Sequence, residues 1–264
     1  MRGLGEIAER LRRSTAQVFP EGRAGAGSGV VWSPAGLVVT NAHVATTARA
    51  RVELWDGRSF DAPVISRDTR RDLAALRISA EALEPATAGD SGALRPGQLV
   101  IAIGNPMGFA GALSTGVVHS IGPLPGMGRR SWIRAGVRLA PGNSGGPLAD
   151  AQGRVVGINT AIVHGLGVAA PVSSVLDFLN RGGLPTLGVT LRPLSNGLLI
   201  LDVDPKSAAA ASSLRAGDVL LCSFDELGDA LDSASDVIKL RFLRGNRLQV
   251  RETAVRIGAR AEAA

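Results

Sequence analysis

The stretch PGNSGGP, residues 141–147, places one serine in a run of glycines. A serine hydroxyl is a poor nucleophile unless a base holds it, and its reaction needs hydrogen-bond donors for the oxyanion that develops. Glycines let the backbone turn tightly, so that the amides of Gly142 and Ser144 can point to one spot. We therefore predict a nucleophile at Ser144 and an oxyanion hole formed by the Gly142 and Ser144 amides. By itself, this pattern also fits an ordinary turn or the nucleophile elbow of an α/β-hydrolase.

The order of the partner residues separates these alternatives. The candidate base is His43, in VTNAHV, residues 39–44, at the end of a predicted strand. His164 follows Ser144 too closely to be the distal histidine of an α/β-hydrolase. A histidine before an aspartate before the serine is the order of chymotrypsin-like serine proteases.

The acid is harder to choose, because four aspartates lie between the candidate base and nucleophile: Asp56, Asp61, Asp68 and Asp72. Asp56 is accounted for by a predicted turn, and Asp61 and Asp68 sit beside segments that we expect to be solvated. Asp72 immediately precedes an apolar run, residues 73–76. A carboxylate at the start of a buried strand can orient an imidazole and stabilise its cation, so we predict that Asp72 is the acid.

The segment from Gly25 to Ala170 is a series of short β-rich runs broken by Gly, Pro, Asn and Asp, which predicts an antiparallel barrel or sandwich. The clearest predicted strands are residues 29–32, 36–40, 51–55, 99–103, 116–121 and 155–159. The Asp56-Gly57 pair predicts a type I′ hairpin turn.

Composition excludes several classes of protein. The 264 residues are 45% hydrophobic and 20% charged, which is ordinary for a globular protein. The net charge of +6 comes from scattered arginines without interleaved aromatic residues, so no nucleic-acid partner is expected. The single cysteine, Cys222, cannot form an internal disulfide and leaves no CxxC metal or redox motif.

The N-terminal residues predict a short amphipathic helix over residues 5–18. They lack the apolar core of a secretory signal, and no stretch approaches the roughly 18 apolar residues of a membrane span. As written, the sequence predicts a cytoplasmic protein without stable membrane insertion. A bacterial envelope or periplasmic protein is the alternative, if an export signal has been removed.

Four motifs in this order closely resemble the HtrA (DegP-like) serine proteases: GSGVVWSPAGLVVTNAHV (27–44), RRDLAALRI (70–78), AIGNPMG (102–108) and PGNSGGPLADAQGRVVGINTAI (141–162). The resemblance runs from about Gly25 to Phe178 and places the base, acid and nucleophile at His43, Asp72 and Ser144. It implies a double six-stranded β-barrel. It also implies cleavage of misfolded or unfolded proteins in protein quality control, without a metal or nucleotide.

The same resemblance implies a substrate pocket at Leu139, Val163 and Leu166, suited to small aliphatic residues before the cut. No aspartate lies among them, so a preference for basic residues is not expected. The sequence departs from the family in two places. Residues 135–137, AGV, stand where an acidic residue is common, and the loop between Val163 and Leu166 is short.

Four segments are predicted: a helical N-terminus (1–24), a protease domain (25–183), a PDZ-like domain (184–258) and a flexible tail (259–264). The protease domain is expected to end in a helix capped by Ser173 or Ser174. The PDZ-like domain is predicted to be α+β, with strands at 187–191, 198–203, 218–222, 236–243 and 247–257 and helices at 206–214 and 225–234. Its resemblance to PDZ domains implies a loop for a peptide carboxylate at Leu187, Gly188 and Val189.

The family resemblance also implies a homo-trimer formed through residues 4–19, with unfolded proteins and peptide C-termini as partners. An alternative function is a latent protease that acts mainly as a chaperone or peptide-binding module. A missing triad residue would favour that alternative, and none is missing. An α/β-hydrolase esterase is opposed by the order of the residues and by the absence of βαβ patterns.

Overall fold

The computed structural model describes residues 3–22, 25–105, 111–125, 127, 130–180, 187–233, 236–245 and 247–257. Contacts divide the chain into two units, Met1–Asn180 and Arg181–Ala264. The predicted domain boundary between residues 183 and 184 and the predicted tail 259–264 lie outside the described residues.

The first unit contains a closed six-stranded antiparallel barrel with the strand order β1-β2-β3-β6-β5-β4. Its strands are β1 (Thr15–Pro20), β2 (Gly27–Val31), β3 (Leu37–Thr40), β4 (Arg49–Glu53), β5 (Ser59–Asp68) and β6 (Leu73–Arg77). Small and β-branched residues fill the interior, among them the fully buried Val18, Val38, Val52 and Ala62. These side chains suit the pleated, closely packed interior of a small barrel.

A second closed barrel follows in the same unit, with the strand order β10-β11-β12-β9-β8-β7. Its strands are β7 (Leu99–Gly104), β8 (Ala112–Gly122), β9 (Trp132–Ala135), β10 (Pro147–Asp150), β11 (Val155–Val163) and β12 (Leu166–Pro171). Val100, Ile133 and Leu148 lie in its interior. The double barrel confirms the mainly β, chymotrypsin-like fold that the sequence predicts.

The N-terminal helix is shorter than predicted. Helix α1 covers Leu4–Arg13, and residues 15–20 form strand β1 of the first barrel rather than helix. The hydroxyls of Ser14 and Thr15 donate to the carbonyl of Leu11 at 3.0 and 2.7 Å, which ends the helix. Strand β1 then pairs with both β2 and β4, and this pairing closes the barrel. Tertiary pairing thus overrides the helical period of the sequence.

Two local predictions are also corrected. The Asp56-Gly57 turn is not type I′, because only Gly57 has a positive φ, 84°. The Gly57 amide donates to Leu54 O at 3.0 Å and the Leu54 amide donates to Arg58 O at 2.8 Å, which is a three-residue hairpin loop with a left-handed glycine. Helix α2 covers Val172–Asn180, so Ser173 and Ser174 lie inside its first turn and do not cap it.

The second unit is a five-stranded antiparallel sheet in the order β13-β14-β15-β16-β17. The strands are β13 (Val189–Leu194), β14 (Gly197–Val203), β15 (Val219–Leu220), β16 (Val237–Arg244) and β17 (Arg247–Arg256), with helices α3 (Ala208–Ala211) and α4 (Phe224–Ser233). The predicted helix 206–214 is therefore a single turn, capped by Ser207. The predicted strand 187–191 begins and ends later. Strand β13 lies at one edge of the sheet.

Candidate active site

Ser144 lies in the loop that leads into β10, and two glycines set the shape of that loop. Gly142 has a φ of 103°, and the Asn143 amide donates to Ala140 O at 3.0 Å, so residues 140–143 form a turn of type II geometry with proline and glycine at its centre. Gly145 has a φ of 88°, and a Cβ there would lie 2.0 Å from Ser28 O. Glycine is required at this second position by conformation and by space.

Strand β2 of the first barrel holds this loop across the boundary between the two barrels. The Ser28 amide donates to Ser144 O at 2.7 Å, and the Ser28 hydroxyl donates to Gly142 O at 2.6 Å. The hydroxyl of Thr40 donates to Ser28 O at 2.6 Å. Ser28 and Thr40 are fully buried, so these hydrogen bonds are shielded from water. The position of the Gly142 carbonyl is therefore determined by a residue of the other barrel.

His43 and Asp72 form the pair that the sequence predicts. Asp72 Oδ2 lies 2.6 Å from His43 Nδ1, and Asp72 Oδ1 accepts the His43 backbone amide at 2.9 Å. An ionised carboxylate only accepts hydrogen bonds, so Nδ1 carries the proton and Nε2 is left as the basic nitrogen. The His43 side chain is 50% exposed and that of Asp72 is 19% exposed. Nε2 is thus oriented by a carboxylate on an imidazole that solvent and substrate can reach.

Asp72 has a φ of 51°, a conformation that is uncommon for residues other than glycine. The turn that holds Asp72 differs from the sequence prediction in the environment of Asp68. Asp68 does not lie in a solvated segment: it is fully buried, and Asp68 Oδ2 pairs with the buried Arg71 guanidinium at 2.5 Å. Asp68 Oδ1 also accepts the backbone amides of Arg70 and Arg71 at 2.9 and 3.0 Å. Asp68 therefore stabilises the turn that presents Asp72.

The Ser144 hydroxyl donates to Thr160 O at 3.2 Å. Within the described residues, no hydrogen bond joins it to His43. Thr160 is the extra residue of a β-bulge in β11, since Asn159 pairs with Ala169 and Ala161 with Val168. Bulges commonly redirect side chains next to active sites. Sequence reasoning missed Thr160, although it stands inside the GINTAI part of the serine motif.

Of the three predicted pocket residues, Val163 and Leu166 are cross-strand partners, and Leu139 lies on the other face of their hairpin. Leu139 packs over Gly167, where a Cβ on the glycine would lie 3.1 Å from Leu139 Cδ1. Val163 and Leu166 pair with each other one residue further along the hairpin, so their side chains lie on the opposite face from Gly167. Ile162 pairs with Gly167, shares its face and is 54% exposed. Ile162 and Gly167 thus share the face on which Leu139 lies, and the pocket at Leu139, Val163 and Leu166 stays a prediction.

The hairpin between β11 and β12 is as short as the sequence indicates. His164 and Gly165 have φ values of 50° and 78°, which is the combination of a two-residue type I′ turn. Residues 160–163 of β11 lie beyond its pairing with β10, which ends at Ile158. In the described part of the chain, this segment pairs with β12 alone. One edge of β11 is therefore open next to Ser144.

The predicted carboxylate loop lies at the start of β13. Leu187 is buried, and its carbonyl accepts the Ala209 amide at 3.0 Å. Gly188 has a φ of 68°, and a Cβ there would lie 2.1 Å from Ser207 Cβ. Val189 is the first residue of β13.

Comparison with known proteins gives consistent results. Residues 27–158, half of the chain, match the trypsin-like peptidase domain family. The chain is 36% identical to a probable periplasmic serine endoprotease DegP-like of Halomonas elongata, over 89% of this chain and 55% of that protein. It is 38% identical to Protease Do-like 1, chloroplastic, of Arabidopsis thaliana, over 73% of this chain and 50% of that protein. The chain thus spans about half the length of these relatives.

Solved structures extend the similarity to the whole fold. The HtrA-type protease AlgW with a tripeptide superimposes with a TM-score of 0.67 at 27% identity, covering 96% of both chains. The HtrA-type protease AlgW with a decapeptide superimposes with a TM-score of 0.68 at 25% identity, covering 99% of this chain and 100% of the other.

The double barrel and the matched residues define the class: the chain belongs to the trypsin-like peptidase family. Within that class, the chain is similar to HtrA-type and DegP-like serine proteases.

The relatives also bear on the cellular compartment. Several DegP-like relatives are named periplasmic and one relative is named chloroplastic, so the expectation of a cytoplasmic protein finds no support among them. Among the described residues, no helix is long and apolar enough to cross a membrane.

Proposed function

We propose that the chain is a serine endopeptidase with Ser144 as nucleophile, His43 as base and Asp72 as the residue that orients the base. The observation that carries the proposal is the two-point contact of Asp72 with His43, through Nδ1 at 2.6 Å and the backbone amide at 2.9 Å. This contact fixes the tautomer in which His43 Nε2 can accept a proton. The similarity to serine endoproteases supports the same assignment.

The reaction follows from these groups. His43 Nε2 takes the Ser144 hydroxyl proton while Ser144 Oγ attacks the scissile carbonyl carbon, and the amides of Gly142 and Ser144 stabilise the oxyanion. His43 then returns the proton to the leaving amine, which breaks the peptide bond and leaves an acyl-enzyme. Water, deprotonated by His43, attacks the ester carbonyl carbon; the bond to Ser144 Oγ then breaks as His43 returns the proton to Oγ, which releases the carboxylic acid product. Attack requires the Ser144 hydroxyl to leave Thr160 O and turn toward His43, which is a rotation about χ1 between staggered wells.

The open edge of β11 supports an extended substrate. A peptide strand that pairs with residues 160–163 would run past Ser144, and main-chain hydrogen bonds would hold it in place. Unfolded or misfolded segments readily present such a free strand, so we propose unfolded proteins as substrates and protein quality control as the role. We also propose a preference for small aliphatic side chains before the cut, because a Cβ on Gly167 would lie only 2.6 Å from Val137 Cγ2 and 3.1 Å from Leu139 Cδ1, which leaves little room on that face.

For the second unit we propose a PDZ-like peptide-binding role. Its support is the edge position of β13, together with the tight turn at Gly188 that begins it. Strand addition at this edge would hold a peptide whose C-terminal carboxylate lies at Leu187, Gly188 and Val189. A peptide with a free C-terminal carboxylate should bind the full chain in a calorimetric titration, and its C-terminally amidated form should not. Equal binding of both peptides contradicts the assignment of the loop.

We further propose a periplasmic location and a homo-trimer formed through residues 4–19. The names of the DegP-like relatives support the location. In α1, Ile7 and Leu11 are buried in the chain's own core, whereas Leu4 is 47% exposed and is available to a second copy. Sedimentation of the full chain measures the mass of the assembly, and a monomer at micromolar concentration contradicts the trimer.

The central test is cleavage of reduced casein by the wild type and by Ser144→Ala, after both have been shown to be folded by circular dichroism. The substitution should lower kcat by at least about 10⁴-fold, because it removes the nucleophile and leaves the fold intact. A fluorophosphonate should label Ser144 in the wild type alone. Cleavage by both proteins contradicts the assignment of Ser144. Cleavage by neither, with no labelling, favours the latent chaperone or peptide-binding alternative.

A further inference from the structure

Asn41 is a buried amide that reaches the polypeptide on both sides of the cleft. It is fully buried, two residues before His43. Its Nδ2 donates to the backbone carbonyl of Asp72 at 2.8 Å and to Thr160 Oγ1 at 3.0 Å. Asp72 belongs to the first barrel and Thr160 to the second, so one side chain links the two barrels behind the proposed triad.

The orientation of this amide is fixed by its neighbours. The Thr160 hydroxyl donates its proton to Ile158 O at 3.1 Å and so accepts from Asn41. Asp72 O can only accept. Both contacts therefore require the NH₂ group, and the reversed amide would place two acceptors against each other. Asn41 Oδ1 is buried without a hydrogen-bond partner among the described residues. Since an unsatisfied buried acceptor is costly, packing alone does not account for an amide here.

Asn41 also acts on the turn that carries His43. Its backbone carbonyl accepts the amides of Val44 and Ala45 at 3.2 and 3.0 Å, which closes the turn around His43. Its side chain restrains the carbonyl of Asp72, whose φ of 51° is an uncommon conformation. Through Thr160, whose carbonyl accepts the Ser144 hydroxyl, the same bridge reaches the nucleophile. One residue is thus connected to the backbone or hydroxyl of each proposed triad member.

We infer that Asn41 is a positioning residue of the proposed reaction, and that it acts through its bridge from Asp72 O to Thr160 Oγ1. It touches neither substrate nor the reacting atoms. Its effect is to keep the distance between the His43–Asp72 pair and Ser144 within the range that proton transfer needs, and small misplacements of such groups reduce rates steeply. Loss of the bridge should therefore change kcat and leave KM, which reports substrate pairing along β11, nearly unchanged. The inference rests on the proposed function.

The test compares Asn41→Ala, Thr160→Val, Thr160→Ser and the double variant Asn41→Ala/Thr160→Val in cleavage of a fluorogenic peptide. The concentration of active sites is measured by titration with a fluorophosphonate, and kcat is calculated per active site. A lower fraction of folded protein therefore does not lower the kcat obtained. We expect Asn41→Ala and Thr160→Val each to lower kcat by about 10- to 100-fold with KM changed less than about threefold. Thr160→Ser keeps the hydroxyl and should restore most of the activity. The kcat of the double variant should be no lower than that of Asn41→Ala, because the two single changes break the same bridge.

Thr46→Val is the matched control. It makes the same chemical change at a buried hydroxyl that has no hydrogen-bond partner among the described residues, and it should leave kcat unchanged. The inference is overturned if Thr160→Val behaves like Thr46→Val, if the losses fall on KM, or if the two single losses multiply in the double variant. If Asn41→Ala does not fold, the Thr160 pair still decides the outcome. Full activity of Ser144→Ala, in contrast, would overturn the proposed function itself.

Discussion

The turn that presents Asp72 and the loop that presents Ser144 are held in place by different chemistry. In the acid turn, a buried carboxylate at Asp68 binds the guanidinium of Arg71 and the backbone amides beside it, all within four residues of one strand end. Residues 141–147 contain no charged side chain. There, two left-handed glycines and the neutral hydrogen bonds of Ser28 fix the backbone.

The comparison shows that a charged ion pair stabilises the acid turn, whereas neutral groups stabilise the loop where the negative charge of the oxyanion develops. A charge beside Ser144 would add to or cancel the potential that the oxyanion experiences, whereas the opposite charges of Asp68 and Arg71 are paired with each other within the acid turn. The two turns should therefore be destabilised by different substitutions. The acid turn should be sensitive to loss of its ion pair, and the nucleophile loop to an added side chain.

The largest effect on stability is expected from Asp68→Asn. The substitution replaces the carboxylate of the buried Asp68–Arg71 ion pair by a neutral amide, and breaking a buried pair costs about 3–5 kcal/mol. Urea denaturation gives the free energy of unfolding. Its companion is the double variant Asp68→Leu/Arg71→Met, which removes both charges and should recover part of the loss. A loss below about 1 kcal/mol would show that the pair is not needed for the turn.

A smaller but still severe loss is expected from Gly145→Ala. The added Cβ would meet Ser28 O at 2.0 Å and Thr40 Oγ1 at 2.3 Å, and the φ of 88° is unfavourable for alanine. Overpacking and left-handed strain together should destabilise the first unit by about 2–4 kcal/mol. Fluorophosphonate labelling of the folded fraction should fall as well, because the loop must shift. Labelling at the wild-type rate would show that the loop tolerates the shift.

The smallest effect is expected from Gly57→Ala, the matched control for that change. Gly57 has a similar φ, 84°, but a Cβ there meets nothing within 4 Å. Only the strain of the left-handed backbone conformation remains. It should lower the free energy of unfolding by about 1 kcal/mol in the same urea experiment, with fluorophosphonate labelling at the wild-type rate. Equal losses at the two glycines would mean that backbone strain, not the contact with Ser28, dominates at Gly145.

Much of the first unit could be predicted from its sequence. His43, Asp72 and Ser144 stand in short motifs whose local structure follows from glycine spacing and β-branched runs, and the structure brings His43 and Asp72 together. Residues 15–18 were misassigned to the N-terminal helix, because their apolar period also fits a strand and only pairing with β2 and β4 decides between the two.

Contacts between barrels could not be predicted in the same way. The bridge of Asn41 to Thr160 joins residues 119 positions apart, and no local pattern reports it. The faces on which the predicted pocket residues lie are a related case. The two-residue turn at His164 and Gly165 pairs Val163 with Leu166, so that Ile162 rather than Val163 shares a face with Gly167, and the bulge at Thr160 shifts the alternation only on the far side of these pairs. A bulge is set by tertiary packing, and a strand period read from sequence alone does not contain it.

The bond from Ser28 to Gly142 has a consequence for the time course of folding. It joins residues 114 positions apart, so the entropy of closing that long loop is lost before the contact can form. The nucleophile loop should therefore become ordered late, after most strands have formed, and the nascent chain would be inert toward its own unfolded segments. In refolding from urea, fluorophosphonate reactivity should lag behind the circular dichroism signal of the strands; simultaneous recovery would contradict late ordering.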